Sequence, residues 1–386
     1  MLTVYRSNRA EWLAALLSEE LRLNPPEPFE NVEILVSTWP TSRWLGEQIA
    51  SANGINAQIK FPFPTAYLKR LVEKLVEKET NSEDHWQTNR LTWKIIDVLP
   101  QLLKMEEGIC LCNWLDRQGL GSNNLALNEW QLVQCIAKTF DDYLFYRPDL
   151  ISEWWQGGDK EKVLISKLPK HLKWQATLFQ LIKKEIHYEP FSINVNNAIN
   201  LIKKGKIPIG KIPSQINIFG ISSLAPIQIK LIQAISCVIE VNFFILTPCK
   251  DLWSRCKSRR EELESNWETP TTGMWLLNSP RLEASFGRMG SEFQQLLEGT
   301  GEYQLGEWRE RDLFANPATI SKNQSKTPSL LEQLQQKLLT SNSLEKLTRG
   351  KSDDSLVFLE CPGQKRQVQL VRDQIIQWLA KDETLE

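Results

Sequence analysis

The sequence predicts an α/β protein in which a parallel sheet carries a large all-helical insertion. Residues 215–250 alternate an apolar β-branched run, a turn-rich loop, an amphipathic run and a second apolar run, which is the pattern of a strand–helix–strand unit. The first fifty residues contain two strand–loop–helix units, whereas residues 66–204 follow a helical period almost throughout. Strands that are apolar along their whole length are usually buried on both faces, which favours a parallel sheet covered by helices.

The individual elements are assigned from this periodicity and from the turn residues between them. Ligands of parallel sheets bind at the carboxyl ends of the strands, so the loop at residues 220–226 is a candidate contact for a nucleotide or a nucleic acid. We expect strands at residues 2–5, 32–36, 216–219, 238–246 and 355–360, and helices outside the block at residues 10–21, 44–50, 227–236, 286–297, 329–339 and 366–379.

The helical block lies between two groups of strands, so we predict that it is inserted into one sheet domain. The predicted divisions are residues 1–64 for the first part of the sheet domain, 65–211 for the insertion, 212–340 for the second part, and 341–386 for a linker and the start of a further α/β domain. Only one strand and one helix of that last domain are present, so we expect it to be truncated.

Composition narrows the class of protein. No apolar run is long enough to span a bilayer, and Arg6, Arg9 and Glu11 interrupt the segment that a signal peptide would need, so we expect a cytoplasmic protein with no membrane partner. The seven cysteines are odd in number and irregularly spaced, which is typical of reduced thiols. Cys110 and Cys112 have no matching second pair, so we predict neither a metal site nor a cofactor.

The net charge of −1 excludes a globally basic nucleic-acid-binding protein but leaves room for a local basic surface. Residues 160–211 contain eleven lysines and three glutamates, which gives this segment a net charge of +8. Two interpretations remain open from the sequence, a solvated helical face and a surface that contacts phosphates.

A nucleotide-hydrolysing sheet needs a glycine-rich phosphate loop after one strand and an acidic pair after another. The first strand is instead followed by residues 6–9 (RSNR), and the strand at residues 216–219 ends in Phe219 and Gly220. Two other stretches imitate parts of a phosphate loop, but residues 205–211 (GKIPIGK) precede Ile212 rather than a hydroxyl, and residues 349–352 (RGKS) lack the upstream glycine. We therefore predict no catalysis by this polypeptide alone.

Several blocks of the sequence resemble the N-terminal third of the RecC family, the gamma subunits of exodeoxyribonuclease V (the RecBCD complex). The blocks are collinear, cover most of the chain and are specific in combination rather than singly. They are MLTVYRSNR, ILVSTWPTSRWL, IKFPFP, WKIIDVLPQLL, FDDYLFYRPDLISEW, INIFGISSLAPIQIKLIQAI, FFILTPCKDLW and CPGQKRQVQLVRDQI.

The resemblance implies a superfamily 1 helicase-like (P-loop NTPase-like) sheet that has lost its ATPase motifs. The predicted divisions then correspond to a 1A domain in two parts, an inserted 1B domain and the start of a 2A domain. The resemblance also implies a non-catalytic DNA-binding subunit that works with RecB-like and RecD-like subunits. Such a subunit splits duplex ends and guides the 3′-ended strand for Chi-type recognition during double-strand break repair by homologous recombination.

Seven DNA-contacting positions are implied by the same resemblance. Asp141 and Arg147 match the residues of the family, and their side chains suit hydrogen bonding to a base amino group and bidentate contact with a phosphate or a base edge. Among the other positions, the aromatic side chains of Trp39 and Phe63 suit stacking on unpaired bases, each stack contributing ~1–3 kcal/mol. The remaining five positions, which differ from the best-studied members, are Ser37, Trp39, Arg43, Phe63 and Lys69.

The residues themselves leave other interpretations open. Arg147, which precedes a proline, is either a DNA contact or a capped, ion-paired helix end, and we expect Tyr143, Leu144 and Tyr146 in the core. We place Trp39 in a loop at the end of a strand. One alternative function is an AddB-type helicase/nuclease subunit, which is disfavoured because the phosphate loop and a four-cysteine cluster are both missing. The other is a helical protein-interaction module without DNA binding, which the basic segment disfavours.

Overall fold

The computed structural model describes residues 1–25, 31–77, 84–117, 127–157, 169, 172–207, 212–249, 287–298, 308–340, 346–382 and 384. These residues belong to two compact units, Met1–Phe314 (unit 1) and Ala315–Glu386 (unit 2). Parts of the predicted basic segment (residues 160–168, 170–171 and 208–211), of the linker (residues 341–345) and of one predicted helix (residue 286) lie outside the described residues.

Unit 1 is built on one parallel sheet. Its strands, within the described residues, are β1 (Leu2–Ser7), β2 (Val32–Leu35), β3 (Ile59–Lys60), β4 (Gln215–Phe219), β5 (Glu240–Leu246) and β6 (Trp308–Leu313). They pair in the order β3-β2-β4-β5-β1-β6, and each of these pairings is parallel. The α/β class with a parallel sheet, predicted from the sequence, is therefore confirmed.

The described helices cover both faces of this sheet in unit 1 and make up most of unit 2. In unit 1 they are α1 (Ala10–Leu23), α2 (Trp39–Asn53), α3 (Pro64–Leu75), α4 (Thr88–Leu103), α5 (Ile109–Arg117), α6 (Leu127–Tyr146), α7 (Pro148–Gln156), α8 (Lys173–Glu185), α9 (Phe191–Lys203), α10 (Pro226–Ser236) and α11 (Arg288–Glu298). In unit 2 they are α12 (Pro317–Asn323), α13 (Leu330–Thr340) and α14 (Gln364–Lys381).

Neighbouring residues on a strand point to opposite faces, so a continuously apolar strand supplies two cores. Ile218 and Phe243 pack with residues of α3, α9, α10 and α11 in one cluster. Phe219 and Phe244, the next residue on each strand, pack with residues of α1 and α2 in the other cluster. This two-sided burial explains why the strands lack the apolar–polar alternation of a half-exposed sheet.

Strands from both ends of unit 1 share the sheet, because β2 lies between β3 and β4 although some 150 residues separate β3 from β4 along the chain. Helices α4 to α8 lie between them in sequence and have a core of their own, which includes Trp86, Phe140 and Phe179. Phe145 near the end of α6 packs against both this core and the core of the sheet. The domain divisions given above stay a prediction.

A buried ion pair joins β1 to β6, which is the last strand in the order of the described sheet. Arg6 and Asp312 are register partners, and Arg6 donates through Nε to Asp312 Oδ1 at 2.9 Å and through Nη2 to Asp312 Oδ2 at 3.4 Å. The side chains of Arg6 and Asp312 are only 3% and 19% exposed. Removing one partner of such a pair leaves a buried charge without that counter-charge, which is strongly destabilising.

Some local predictions are wrong. The predicted strand at residues 355–360 is absent, because no described strand pairs with it and a strand needs a neighbour for its backbone hydrogen bonds; Phe358 is 88% exposed. Helix α2 begins at Trp39 rather than at residue 44, since the Thr38 side chain accepts a hydrogen bond from Thr41 N and Pro40 occupies the first turn. Tyr146, expected in the core, is exposed, whereas Leu144 is buried.

The ion pair leads to a first prediction. Asp312→Ala is expected to lower the free energy of unfolding by about 3 kcal/mol, because the Arg6 guanidinium stays buried without its carboxylate. Urea denaturation followed by circular dichroism measures this change. The matched control is Glu47→Ala, which breaks an exposed pair with Arg43 and is expected to cost less than about 1 kcal/mol. Equal losses in both variants would contradict the structural role of the buried pair.

Candidate nucleic-acid interface

The carboxyl ends of the parallel strands meet at one edge of the sheet, which is where such sheets bind their ligands. Ser37 and Thr38 follow β2, and Phe63 follows β3. Because β2 and β3 are neighbours, the segments after them lie side by side, and Val36 N donates to Pro62 O at 3.3 Å. Two stretches of the predicted interface are thereby brought together at this edge.

The feature that stands out at this edge is an exposed aromatic pair. The rings of Trp39 and Phe63 meet edge to face, with 6.0 Å between their centroids and an angle of 88° between their planes. Trp39 is 74% exposed and Phe63 is 38% exposed. Both residues stand at helix N-termini, since Trp39 is the first residue of α2 and Phe63 is the N-cap of α3. Their backbones are therefore fixed while much of each ring faces solvent.

Two polar residues of the prediction belong to the same stretch of chain. Ser37 is exposed and precedes Thr38, the N-cap of α2. Arg43 lies one turn into α2 and pairs with Glu47 through Nε at 3.3 Å, but both side chains are largely exposed. Surface pairs of this kind contribute little to stability, so the Arg43 guanidinium remains accessible to an anionic ligand.

Lys69 has a different environment, because its ammonium group is engaged inside the protein. Lys69 Nζ lies 2.6 Å from Asp84 Oδ2, and it lies over the rings of Phe145 and Phe191 at 5.6 and 5.7 Å from their centroids. Together these contacts connect α3 to the end of α6 and the start of α9. The side chain therefore has an evident structural role, which its position in the sequence did not indicate.

Asp141 and Arg147 lie at the end of α6 and just beyond it. Asp141 is half-buried, and its Oδ2 accepts a hydrogen bond of 2.7 Å from Thr88 Oγ1, which ties α6 to the start of α4. Arg147 is exposed at the N-cap of α7, but its side chain makes no capping hydrogen bond. No carboxylate of the described residues lies within 4.0 Å of its guanidinium. Of the two interpretations of Arg147, the capped, ion-paired helix end is therefore wrong.

A nucleotide-hydrolysing sheet would have a phosphate loop after its first strand and an acidic pair after another strand, but the side chains described at these two places are ion-paired or packed. Arg6 belongs to β1 and not to a loop, and it holds Asp312. Phe219 at the end of β4 is buried, with the Trp44 ring 6.2 Å away and the Phe244 ring 6.1 Å away. Gly220 has a φ of +64°, a conformation that favours glycine, and its N–H donates to Phe244 O. Sequence reasoning missed Asp312, because β6 (WRERDL) is too charged to match an apolar strand pattern.

A small cavity of about 50 Å³ adjoins Lys69, and its lining includes Glu73, Asp84, His85 and Tyr188. Burial raises the pKa of the Glu73 carboxyl, the negative charge of Asp84 raises it further, and Lys69 acts in the opposite direction. His85 stacks on Tyr188 with 4.7 Å between the ring centroids. Because this cavity is too small for a nucleotide, we assign it to the joint between the sheet and the helical block rather than to a ligand site.

The described part of the chain contains no group of three His, Cys, Asp or Glu side chains placed to hold a metal ion. Among the same residues, no helix has the length and apolar character needed to cross a membrane.

These features define an α/β protein with a parallel sheet, many helices and an exposed aromatic pair at the carboxyl ends of two strands. Within that class, the chain belongs to the RecC N-terminal domain family, whose model matches residues 2–341. The resemblance recognised in the sequence blocks is thereby confirmed.

The curated relatives carry the same family name. The chain is 27% identical over 431 residues to the RecBCD enzyme subunit RecC of Escherichia coli (strain K12), covering 100% of this chain and 36% of that protein. The corresponding subunit of Haemophilus influenzae is 24% identical over 432 residues, covering 100% and 37%. That of Mycolicibacterium smegmatis is 24% identical over 393 residues, covering 100% and 32%. The chain thus spans about a third of the length of these relatives.

The raised pKa of the Glu73 carboxyl at the cavity gives a second prediction. Because the folded pKa of Glu73 lies above its unfolded value of about 4.3, the folded state binds more protons just above that pH, and stability falls as pH rises through this window. We expect Glu73→Gln to be more stable than wild type at pH 7 and equal to it below about pH 4. Urea denaturation at the two pH values tests this, with the exposed Asp97→Asn on α4 as control. A Glu73→Gln protein that is less stable at pH 7 would mean that attraction to Lys69 outweighs burial.

Proposed function

We propose that this chain is the N-terminal part of a DNA-binding scaffold subunit of a RecBCD-type helicase/nuclease and that it carries out no catalysis itself. The observation that carries the proposal is the exposed Trp39–Phe63 pair at the carboxyl edge of the sheet, in a chain that belongs to the RecC N-terminal domain family. The relatives named above are described as RecBCD enzyme subunits, which supports RecB-like and RecD-like partners for the whole protein.

Stacking is the interaction that this pair offers to an unpaired strand. Every base has a flat π face, so an exposed indole accepts any base and binds single strands with little dependence on sequence. The two rings meet nearly at a right angle, and Trp39 is 74% exposed, so most of the indole is open to solvent and to an unpaired base. A paired base in a duplex presents no free face, so the site favours DNA whose strands have been separated.

Cationic and hydrogen-bonding side chains supply the other contacts in this proposal. Arg147, which is exposed and has no ion pair within the described residues, suits a bidentate contact with a phosphate. Arg43 and Ser37 flank Trp39 along the chain and suit phosphate oxygens of the same strand. The second oxygen of Asp141 suits a base amino group, since its Oδ2 is held by Thr88. Lys69 contributes by fixing α3 against α6, because its ammonium group lies over the Phe145 ring of α6 while it pairs with Asp84.

The helicase-like sheet is part of the same proposal. An ATPase of this type needs a phosphate loop after its first strand and an acidic pair to hold Mg²⁺, whereas this chain has the Arg6–Asp312 pair and the buried Phe219 at those positions. We infer a P-loop-like sheet retained as a scaffold, with the helices between β3 and β4 as a 1B-like insertion. In the whole complex this scaffold would split duplex ends and guide the 3′-ended strand for Chi-type recognition in double-strand break repair by homologous recombination in the cytoplasm.

The aromatic pair gives a third prediction. We expect Trp39→Ala with Phe63→Ala to weaken binding of a fluorescein-labelled forked duplex with a 3′ single-stranded tail by about tenfold or more, because each lost stack contributes ~1–3 kcal/mol. Fluorescence anisotropy measures the affinity. The loss should be nearly the same at low and high salt, since stacking releases few counterions.

Two controls make this test specific. Trp114→Ala removes another exposed tryptophan, on α5, and should leave the affinity unchanged. A blunt duplex without a tail should bind wild type and the double variant equally. If the double variant binds the tailed fork as tightly as wild type at both salt concentrations, the aromatic pair is not the interface.

Arg147 gives a fourth prediction, with a different salt signature. We expect Arg147→Gln to reduce the slope of log K against log salt by about 0.7 on a single strand, because one phosphate contact is lost. Arg22→Gln on α1, which breaks an exposed pair with Glu19, is the matched control and should leave the slope unchanged.

Purified wild type should hydrolyse no ATP with or without DNA. ATP turnover by the purified wild type would instead favour the AddB-type alternative.

A further inference from the structure

Unit 2 contains a polar groove of about 940 Å³ that the proposed interface does not use. One wall is formed by α13 and the other by the segment at residues 346–354. The Gln333 side chain holds this segment in place, because its Nε2 donates to Thr348 O at 2.9 Å and its Oε1 accepts from Thr348 N at 3.0 Å. The groove includes most of the RGKS stretch that resembles part of a phosphate loop.

The groove does not work as a phosphate loop, because the N-terminus of α13 is already occupied. Asp353 Oδ2 accepts a hydrogen bond from Leu330 N at 2.6 Å, and Ser355 Oγ accepts one from Leu331 N at 3.1 Å. Hydrogen bonds from Ser355 and from Leu330 N lower the pKa of Asp353, so this carboxylate stays charged and in place. The backbone N–H groups that would cradle a triphosphate are thus capped by the protein's own side chains.

Three lysines of the groove remain without a counter-charge. They are Lys322 on α12, Lys337 on α13 and Lys346 on the covering segment. Within the described residues no carboxylate lies within 4.0 Å of any of their ammonium groups. The two carboxylates of the lining are engaged elsewhere, Asp353 at the start of α13 and Asp354 with Arg349 at 3.6 Å. The groove therefore has a net positive charge that attracts an anion.

The shape of the lining distinguishes a strand from a single phosphate group. The groove runs along α13 from Ser329, just before the helix, to Thr340 at its end, which corresponds to a length of about 16 Å at 1.5 Å per residue. Hydroxyl and amide side chains, including Thr327, Thr340 and Gln336, alternate with the lysines along it. Such a lining matches the phosphates and sugars of a backbone, and none of its described residues has an aromatic ring on which a base could stack.

We propose that this groove binds the phosphodiester backbone of a single nucleic-acid strand through Lys322, Lys337 and Lys346, as a second contact separate from the Trp39–Phe63 pair. The inference rests on the proposed DNA role of this chain. Contacts to phosphates alone carry no base specificity, so the groove accepts strands of any sequence.

The test is a triple variant, Lys322→Gln with Lys337→Gln and Lys346→Gln, in the full 386-residue chain. Its matched control is Lys326→Gln with Lys351→Gln, which removes exposed lysines of unit 2 that do not line the groove. Binding of a fluorescein-labelled oligothymidylate is followed by anisotropy at several salt concentrations. We expect the triple variant to reduce the slope of log K against log salt by about 2, or about 0.7 for each lost phosphate contact.

Each outcome bears on one proposal. If the triple variant and the control keep the wild-type slope and affinity, the groove is not a strand-binding site. If the triple variant lowers the slope of log K against log salt as expected while Trp39→Ala with Phe63→Ala leaves the affinity unchanged, the groove binds the strand and the aromatic pair does not. If inorganic pyrophosphate or ATP displaces the strand stoichiometrically at low concentration, the groove is a free-nucleotide site, which overturns the assignment to a strand. A Lys→Arg triple variant that restores the slope excludes misfolding as the cause.

Discussion

The parallel arrangement of the sheet is the constraint on which the rest of unit 1 depends. Parallel strands bring every carboxyl end to one edge, so segments that follow β2, β3 and β4 meet there although a long stretch of chain separates them. The sheet also needs helices on both faces, which the two clusters around Phe243 and Phe244 provide. Neighbouring strands lie about 4.8 Å apart, so β3 and β4, on either side of β2, are only about 10 Å apart laterally. An insertion between them therefore leaves the sheet continuous.

Packing and one buried ion pair occupy the carboxyl-terminal parts of β1 and β4. Arg6 turns its guanidinium toward Asp312 on the neighbouring strand, and Phe219 lies between Trp44 and Phe244. These buried contacts fix the carboxyl-terminal parts of β1 and β4 to their neighbouring strands β6 and β5.

The sequence predicted the elements that follow from hydrophobic periodicity, and it failed where tertiary partners decide. Strands β4 and β5 and helix α10 are apolar in a local pattern, so their positions were predicted to within two residues. Strand β6 is charged and exists because β1 pairs with it, whereas residues 355–360 are apolar and form no strand without a partner. For the candidate site, Trp39 and Phe63 were identified singly. Their contact depends on the pairing of β2 with β3, which is only two residues long and has no sequence signal.

The two proposed contacts rely on different interactions, base stacking at the aromatic pair and charge attraction at the groove, so they are expected to respond differently to salt. Trp39 and Phe63 are held by helix N-termini at a rigid sheet edge, so they fix a base at one place and are nearly insensitive to salt. The groove lysines have flexible stems and long-range charge, so they attract a backbone from a distance and lose affinity steeply as salt rises. Both proposed contacts act without base specificity, because every base offers a π face and every nucleotide carries a phosphate.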